Sequence, residues 1–382
     1  MAESFGRTSS TGSEVFTCQL PSMPRYLIYS EGQFGTPSSK TGNSVIRYSA
    51  PQVAAVLDSR LAGKTVASVL GYGGDIPVVG SLDEGVRRGA DALLVGIAMH
   101  GAGFTPELRS AIYEAIDRGL AIWNGLHTFV GDDPDLSALA AARNVAIHDV
   151  RRPPTDLPIG TGRVRDVDAT VVLAVGSDAN IGKMTVMLQL RAALRAGGVR
   201  AAFAATGQTG IFIEGWGICV DAVIADFIAG AAESVTIQAA RDADIVLVEG
   251  QGSILHPGYS GVSLGLLHGS LPHGLIVCHQ PGRETFRHNP WLPIPPLADV
   301  IALHEAMTEP LRPVRTIGVS LNTSQLDDRD ARATIERVAD ETGLPTTDPV
   351  RYDIGPLADA VRSLNQSRRA AHGRARAGAL SY

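Results

Sequence analysis

The sequence predicts an α/β protein of two domains, each built on a parallel β-sheet, and two features of its 382 residues indicate this fold class. Short, wholly apolar runs alternate with helical patterns along most of the chain. Continuous apolar strands are typical of parallel sheets that helices cover on both faces. A proline-rich linker, residues 151–167, separates two such series, and this composition is typical of a boundary between domains.

The first domain is predicted to span residues 24–150, after a flexible polar leader at residues 1–23. Ser81 and Glu84 have the spacing of a capping box, which predicts that a helix begins there. Pro106 follows Thr105, and proline is favoured at the first position of a helix. Strands that alternate with such helices predict a Rossmann-like parallel sheet. The predicted strands are the apolar runs 26–29, 53–57, 66–70, 76–79, 92–98, 120–123 and 145–148.

The second domain is predicted to span residues 168–370, followed by a basic flexible tail at residues 371–382. Arg368 and Arg369 lie at this basic end of the chain, which we expect to be solvated. The same alternation of apolar runs and helical patterns predicts a second parallel sheet. The predicted strands are 170–175, 199–205, 244–249, 274–279 and 316–321, and the predicted helices are 183–196, 221–241, 299–307, 328–342 and about 356–369.

The loop after the apolar run 170–175 has the composition of a phosphate-binding turn. Gly176 and Gly182 bound the loop, and Lys183, Met184 and Thr185 open the predicted helix. Glycines let backbone N–H groups point inward, the helix N-terminus adds positive potential, and the lysine adds a full charge. Met184 stands where a hydroxyl normally holds Mg²⁺, although Thr185 could still contact a phosphate. The loop predicts that a phosphate is bound more firmly than it predicts the reaction.

Polar loops also follow the later strands of the second domain, and ligands bind outside the carboxyl ends of the strands in an open parallel sheet. Glu249 and His279 are candidate catalytic bases, and Arg283 is a candidate to bind a substrate carboxylate. The structural alternatives are a carboxylate that caps local backbone, a hydrogen-bonded histidine and a surface ion pair. Gln208, Thr209 and Gln251 are predicted to contact the substrate, and Asn322 is either a nucleotide-base contact or a turn residue.

Composition argues against several classes of function. The formal charge of −6 does not suggest a nucleic-acid partner. No apolar run approaches the roughly 18 residues that a membrane span needs, so we expect a cytoplasmic protein. The three cysteines lack disulfide or zinc spacing, and no metal site is predicted. His127 with Asp132, Asp133 and Asp135 could bind a metal, but Asp133 or Asp135 is better explained as the cap of a helix that begins near Leu136.

The second domain resembles the P-loop class that includes dethiobiotin synthetase and the cobyrinate-type synthetases. Those enzymes share a six-residue separation of the loop glycines, here Gly176 and Gly182. They also share an aspartate two residues after the first glycine, here Asp178, and a Val-Glu-Gly string, here 248–250. Asn322 matches the strand-end asparagine that contacts adenine in that class. The resemblance implies a P-loop NTPase-like fold and a cofactor held by these residues.

A closer resemblance covers nearly the whole chain. The strings that carry it are 46–48, 125–127, 132–134, 149–154, 176–178, 182–185, 206–210 and 248–253. Together they resemble a bacterial family, formerly a domain of unknown function, that includes D-glutamate N-acetyltransferase. Asn180, which is predicted to contact the cofactor, stands where we expect a cysteine in many members.

This resemblance implies an acyl-CoA-dependent N-acyltransferase, and more narrowly an N-acetyltransferase, that acts on a small amino acid such as glutamate. Acetyl-CoA is the expected cofactor, because the loop can hold the phosphates of CoA without hydrolysing them. One alternative is an ATP- and Mg²⁺-dependent kinase or carboxylate-activating ligase of the dethiobiotin synthetase type. A second alternative is a nucleotide-binding regulator without turnover. The expected partners are the amino-acid substrate and further copies of the chain in a homo-oligomer.

Overall fold

The computed structural model describes residues 18–19, 23–98 and 103–379. Contacts between Cα atoms divide the chain into two compact units. The N-terminal unit comprises Cys18–Pro153 and Gly207–Ala222, and the P-loop unit comprises Pro154–Thr206 and the residues from Val223 onward.

Helices and strands alternate along most of the described chain. The helices are α1 Lys40–Ser49, α2 Val66–Leu70, α3 Leu82–Arg87, α4 Pro106–Asp117, α5 Pro134–Arg143, α6 Lys183–Ala196, α7 Gln208–Glu214, α8 Ile228–Ala240, α9 Ser260–Ser270, α10 Leu297–Thr308, α11 Asp328–Thr342 and α12 Gly355–Ala379. The strands are β1 Cys18–Gln19, β2 Tyr26–Tyr29, β3 Val53–Leu57, β4 Val78–Val79, β5 Ala92–Val95, β6 Ala121–Asn124, β7 Ile147–Asp149, β8 Thr170–Gly176, β9 Ala201–Ala204, β10 Trp216–Gly217, β11 Ile245–Val248, β12 Gly274–His279, β13 Thr285–Phe286, β14 Asn289–Pro293, β15 Arg315–Leu321 and β16 Thr346–Thr347.

The N-terminal unit is built on a six-stranded parallel sheet with the strand order β4-β3-β2-β5-β6-β7. Strands β2, β3 and β5 are buried at every residue, which explains their wholly apolar sequences. The chain reverses its direction of winding between β2 and β5, which is the order of a Rossmann fold. The prediction of a Rossmann-like parallel sheet is confirmed.

The helices of the N-terminal unit begin where side chains cap them. Ser81 and Thr105 cap α3 and α4, as the sequence predicts. The prediction of a strand at residues 66–70 is wrong, because these residues form α2. Thr65 caps α2, and Gly71 ends it in the left-handed conformation, with a φ of 75°. A five-residue apolar run fits a strand or a helix turn equally, and these two caps select the helix.

The segment Gly207–Ala222 separates from the second domain that the sequence predicts as continuous over residues 168–370. It groups with the N-terminal unit. Phe212, on α7, gives the physical reason, because its fully buried ring lies 6.4 Å from the ring of Trp123 on β6. Burying a large aromatic side chain stabilises this association more than its place in the sequence would suggest.

The P-loop unit is built on a second six-stranded parallel sheet, in the order β16-β15-β12-β8-β11-β9. Strand β8 lies between β11 and β12 and is buried at all seven residues. The predicted parallel sheet is confirmed. The predicted helix 221–241 is too long, because α8 begins only at Ile228 after two short 3₁₀ turns. Helix α9 and the antiparallel pair β13–β14 are additions that the sequence does not predict.

The central strands of the P-loop unit present the predicted polar residues at one edge. Gly176 and His279 end β8 and β12, whereas Glu249 and Asn322 directly follow β11 and β15. These strands are parallel neighbours, so their carboxyl ends lie at the same edge of the sheet. The sequence predicts that the loops after all five strands share one edge, and this is confirmed for these four. The fifth loop, 206–210, passes into the N-terminal unit at Gly207.

The end of the chain is more ordered than the sequence predicts. Helix α12 continues to Ala379, beyond the predicted end at residue 369 and into the predicted tail. Arg368 is not a solvated terminal residue, because its Nη1 donates to the Ala169 carbonyl at 2.9 Å. The predicted leader lies almost wholly outside the described residues. In the described part of the chain, every helix is too short or too polar to cross a membrane; the cytoplasmic location and the homo-oligomer stay predictions.

Candidate phosphate-binding site

The loop between β8 and α6 turns so tightly that small or left-handed residues are needed at its ends. A Cβ at Gly176 would lie 2.7 Å from Ile181 Cδ1 and 2.9 Å from the Cys278 carbonyl oxygen. Gly182 has a φ of 110°, and Asn180 also adopts a positive φ, of 55°. Asparagine tolerates this conformation better than most residues. The positions of the two glycines therefore follow from the shape of this loop, which leads directly to the N-terminus of α6. We call residues 176–183 the cradle.

Lys183 places a cation inside the cradle. Its side chain is only 6% exposed, and Nζ donates to the Asp178 carbonyl at 2.6 Å. Burial lowers the pKa of Lys183 to about 8, although the Asp178 carboxylate counteracts this shift. A buried ammonium is favoured when an anion approaches it, so binding of a phosphate group would restore the pKa of Lys183 towards its ordinary value.

Asp178 ties the cradle to the segment that follows β12. Its fully buried carboxylate accepts from Arg283 Nη1 at 2.8 Å and from the Arg287 backbone N–H at 2.9 Å. Arg283 also donates to the Ala179 carbonyl and to Gln280 Oε1. The guanidinium that the sequence predicts to bind a substrate carboxylate thus already holds a carboxylate of its own chain. Its role towards substrate stays a prediction.

His256 holds the turn of the β13–β14 hairpin through the carbonyl of Arg287, whose N–H is bound by Asp178. The Gly258 N–H donates to His256 Nδ1 at 3.0 Å, which leaves the ring proton on Nε2. His256 Nε2 in turn donates to the Arg287 carbonyl at 2.8 Å. Arg287 therefore joins His256 through its carbonyl and Asp178 through its N–H. This arrangement gives His256 a structural role.

Glu249 lies against the cradle from the neighbouring strand. A Cβ at the next residue, Gly250, would lie 1.7 Å from the Ala174 carbonyl oxygen and 3.0 Å from Lys183 Cδ. Only glycine allows this approach of the two strand ends. Glu249 Oε2 accepts from the Thr206 N–H at 2.9 Å, and the Thr206 hydroxyl donates back to the Glu249 carbonyl at 2.7 Å. The carboxylate is 4% exposed and has a fixed orientation.

His279 is held at the first residue of the loop. Its Nδ1 lies 2.9 Å from the hydroxyl of buried Ser177. Burial, and then the charges of Arg283 and Arg337, lower the pKa of His279 to about 4. The imidazole is therefore neutral at physiological pH, which is the state that a proton acceptor needs. The His279 carbonyl accepts from the Asn322 N–H at 2.9 Å, which places Asn322 at the same edge.

The structure does not gather all the predicted site residues into this unit. Gln208 and Thr209 open α7 in the N-terminal unit, where Arg151 donates to Gln208 Oε1 at 2.8 Å. Gln251 remains beside Glu249, since its Nε2 donates to the Thr206 hydroxyl at 3.2 Å. Asn180 is exposed, and Thr185 is half-buried on the first turn of α6. The predicted contacts of these residues with cofactor or substrate stay predictions.

Two contacts of the cradle are missing from the sequence-based list of site residues. The first is Ser177, and a serine next to the loop aspartate could have suggested it. The second is the backbone N–H of Arg287, which leaves no trace in the sequence because every residue except proline has one. Both lie within 3 Å of a predicted site residue, His279 and Asp178 respectively.

Asp133, one of the aspartates after His127, has a structural role. Asp133 accepts from the N–H groups of Asp135 and Leu136 and so caps α5, which confirms the helix-cap interpretation. Arg109 also pairs with Asp133, at 2.8 Å. Across the described residues, no group of three or more histidine, cysteine or acidic side chains has the arrangement of a metal site.

Comparisons with known proteins agree with this architecture. Residues 59–153 match a Rossmann-like domain and residues 158–358 match a P-loop domain, both described as domains of unknown function of the DUF1611 family. The chain is 39% identical over 286 residues to a D-glutamate N-acetyltransferase from Tritonibacter scottomollicae, covering 74% of this chain and 85% of that relative. It is 37% identical over 278 residues to a D-glutamate N-acetyltransferase from Pseudoalteromonas sp, covering 72% and 83%. A DUF1611 family protein of known crystal structure, from Anabaena variabilis, has 38% identity and a TM-score of 0.85 over 89% of this chain and 99% of that chain.

Proposed function

This chain belongs to the DUF1611 family, with relatives named D-glutamate N-acetyltransferase along most of its length, and we propose that it transfers an acetyl group to the amine of D-glutamate. The observation that carries the proposal is the extent of the relationship. The match to the Tritonibacter scottomollicae relative, at 39% identity, covers 85% of that protein and includes both domains. The shared activity is therefore proposed for the whole chain and not for one domain.

The cradle is proposed to hold the phosphates of the acetyl donor, acetyl-CoA. A diphosphate is a dianion, and the buried Lys183 ammonium at the N-terminus of α6 is the kind of charge that stabilises such a group. Asn180 and Thr185, at the exposed side of the cradle and on the first turn of α6, would add polar contacts. Asn322 would contact the adenine, because it lies at the strand end next to His279.

Acetyl transfer then requires one proton acceptor and stabilisation of one oxyanion. The substrate ammonium loses a proton, and the free amine attacks the thioester carbonyl to form a tetrahedral oxyanion. The carbon–sulfur bond then breaks, the attacking nitrogen loses its second proton, and the CoA thiolate takes up a proton as it leaves, so that one proton is released in net. His279 and Glu249 are the candidate acceptors. Each already has one hydrogen-bonded atom, because His279 Nδ1 lies 2.9 Å from the Ser177 hydroxyl and one oxygen of Glu249 accepts from the Thr206 N–H.

The test combines turnover with binding. The full-length protein is incubated with acetyl-CoA and D-glutamate, release of the CoA thiol is followed by a thiol reagent, and calorimetry measures binding of acetyl-CoA and of ATP with and without Mg²⁺. Lys183→Ala should weaken acetyl-CoA binding by about 10- to 100-fold, because it removes a charged hydrogen-bond donor. Lys64→Ala, at an exposed lysine of the other unit, is the control and should change nothing.

Three outcomes separate the alternatives. Binding of ATP that requires Mg²⁺, without binding of acetyl-CoA, would contradict acetyl transfer and support the ligase or kinase. Binding of acetyl-CoA that Lys183→Ala leaves unchanged would contradict the role of the cradle but not the activity. Binding of acetyl-CoA, or of ATP without a requirement for Mg²⁺, that is not accompanied by release of thiol would support a regulator.

A further inference from the structure

The N-terminal unit contains a cavity that the proposed chemistry of the cradle does not use. Its volume is about 530 Å³, which lies in the usual range of small-molecule sites. It lies where α4 and the loop after β6 begin, and both follow the carboxyl ends of parallel strands. Ligands of Rossmann-like sheets bind at that edge. The chemically distinctive lining residues are Phe104, Arg109, His127, Phe129, Asp132 and Asp133.

Arg109 presents a rigid hydrogen-bond donor at this cavity. Its Nε and Nη2 donate to the two carboxylate oxygens of Asp133 at 2.8 and 2.9 Å, and Nη2 also donates to Asp135. Asp133 is itself immobilised as the cap of α5. Among the described residues, Nη1 of Arg109 has no hydrogen-bond acceptor. A guanidinium held in this way from behind loses little freedom when its remaining N–H groups bind a carboxylate.

The same cavity offers a carboxylate and an imidazole with unused hydrogen-bonding groups. Asp132 accepts from Arg152 Nη2 at 2.6 Å through Oδ1. Its Oδ2, and both ring nitrogens of the exposed His127, have no hydrogen-bond partner within residues 23–98 and 103–371. The Phe104 and Phe129 rings add apolar surface. The open cationic donor and the open carboxylate oxygen together suit the carboxylate and the ammonium of an amino acid, and the apolar wall suits the methylene groups of its side chain.

We propose that this cavity binds a free α-amino acid, with its carboxylate on Arg109 Nη1 and His127 and its ammonium on Asp132. A phosphate ligand fits poorly, because Asp132, Asp133 and Asp135 would repel a dianion. Two sources share the amino-acid chemistry: the substrate of the proposed acetyl transfer, and a separate effector. The binding itself does not depend on the proposed activity, since every contact that supports it lies in the N-terminal unit.

The experiment measures binding of D-glutamate, L-glutamate and glutarate to the full-length protein by calorimetry. Glutarate lacks the ammonium and should bind at least about tenfold more weakly than glutamate, because Asp132 loses its partner. His127→Ala and Arg109→Met should each weaken glutamate binding by about tenfold or more. His127→Ala should leave the melting temperature unchanged, so that its effect on binding cannot arise from unfolding.

Arg143→Met is the matched control. Arg143 also ties α5 to α4, through a pair with Asp117, but it does not line the cavity. Its glutamate affinity should equal that of the unmodified protein, even if it shares a loss of stability with Arg109→Met. The proposal is overturned if all three variants bind glutamate as tightly as the unmodified protein does. It is also overturned if glutarate binds as tightly as glutamate, or if the unmodified protein binds neither enantiomer of glutamate.

Turnover distinguishes the two sources. If the amino acid is the substrate, His127→Ala raises the KM for D-glutamate and leaves kcat nearly unchanged. If the amino acid in this cavity is an effector, His127→Ala removes one bound equivalent of amino acid, while the KM for D-glutamate as acetyl acceptor stays constant. Glutamate binding that His127→Ala weakens, in a protein that releases no CoA thiol, would refute the proposed activity and retain the site.

Discussion

Asp178 and Arg283 form a buried ion pair at the base of the cradle, and its removal should destabilise the P-loop unit strongly. The Asp178 side chain is fully buried, and that of Arg283 is 20% exposed. Asp178→Asn keeps the size of the side chain but removes the charge that Arg283 Nη1 meets at 2.8 Å. Asp178 Oδ2 accepts from Arg283 and from the Arg287 N–H, and Oδ1 accepts from the Ala179 N–H. An asparagine has only one side-chain oxygen, so it cannot accept all three of these hydrogen bonds.

The expected magnitude follows from burial. Removing one partner of a buried pair typically costs 3–5 kcal/mol, because the other charge is left uncompensated. Arg283 keeps two acceptors, the Ala179 carbonyl and Gln280 Oε1. We therefore expect a loss near the lower limit, about 3 kcal/mol. An exposed pair is expected to contribute only about 0.3–0.5 kcal/mol. Arg337 and Glu341, on α11, are such a pair, with both side chains more than half exposed.

The assay is a double-mutant cycle on each pair. Asp178→Asn, Arg283→Met and the double variant are compared with the corresponding Glu341→Gln and Arg337→Met series by urea unfolding. Because a chain of two units need not unfold in one transition, hydrogen exchange of residues 170–183 supplies the local free energy of opening. A coupling energy for the Asp178–Arg283 pair no larger than that of the exposed pair would refute the reasoning.

Two further predictions concern the P-loop unit. Gly250→Ala should lower the free energy of unfolding by more than about 3 kcal/mol, because its Cβ would lie 1.7 Å from the Ala174 carbonyl oxygen. Gly261→Ala, at an exposed position of α9 with open space around it among the described atoms, should instead raise this free energy by about 0.5–1 kcal/mol. Equal melting temperatures of these two variants would contradict the argument. Burial alone would raise the pKa of Glu233, but hydrogen bonds, the strongest from Arg163, hold it below its ordinary value. A lowered folded pKa stabilises the protein above the unfolded pKa, and this stabilisation is lost as the pH falls. Glu233→Gln should therefore lower the free energy of unfolding by about 2 kcal/mol at pH 7 and by progressively less below about pH 4.5; a deficit that is independent of pH would argue against a charged Glu233.

Local sequence patterns predicted the strands and the position of the cradle well. The run 170–175 is apolar because β8 is buried on both faces, and the glycines that bound the cradle follow from its tight turn. Helices 183–196 and 328–342 were predicted to the residue as α6 and α11. These features depend on neighbours in the sequence, so a single chain is enough to show them.

Local patterns were less informative where two structures fit the same residues. The apolar run 66–70 fits both a strand and a helix, and capping by Thr65 and Gly71 decides for α2. The string 206–210 reads as a loop, yet α7 begins at Gln208 and joins the N-terminal unit. In both cases the deciding contacts are hydrogen bonds or buried aromatic surface, which hydrophobic periodicity does not record.

The sequence by itself indicated two parallel-sheet domains, the position of a P-loop-like cradle, and a family that includes proteins named D-glutamate N-acetyltransferase. Only the tertiary structure decided how the charged residues of the cradle are used. Arg283 lies 105 residues from Asp178, and the sequence offers no rule that joins them. Their pairing depends on β8 and β12 lying side by side, because a charge that the fold buries must find its partner among the groups that the fold brings near it.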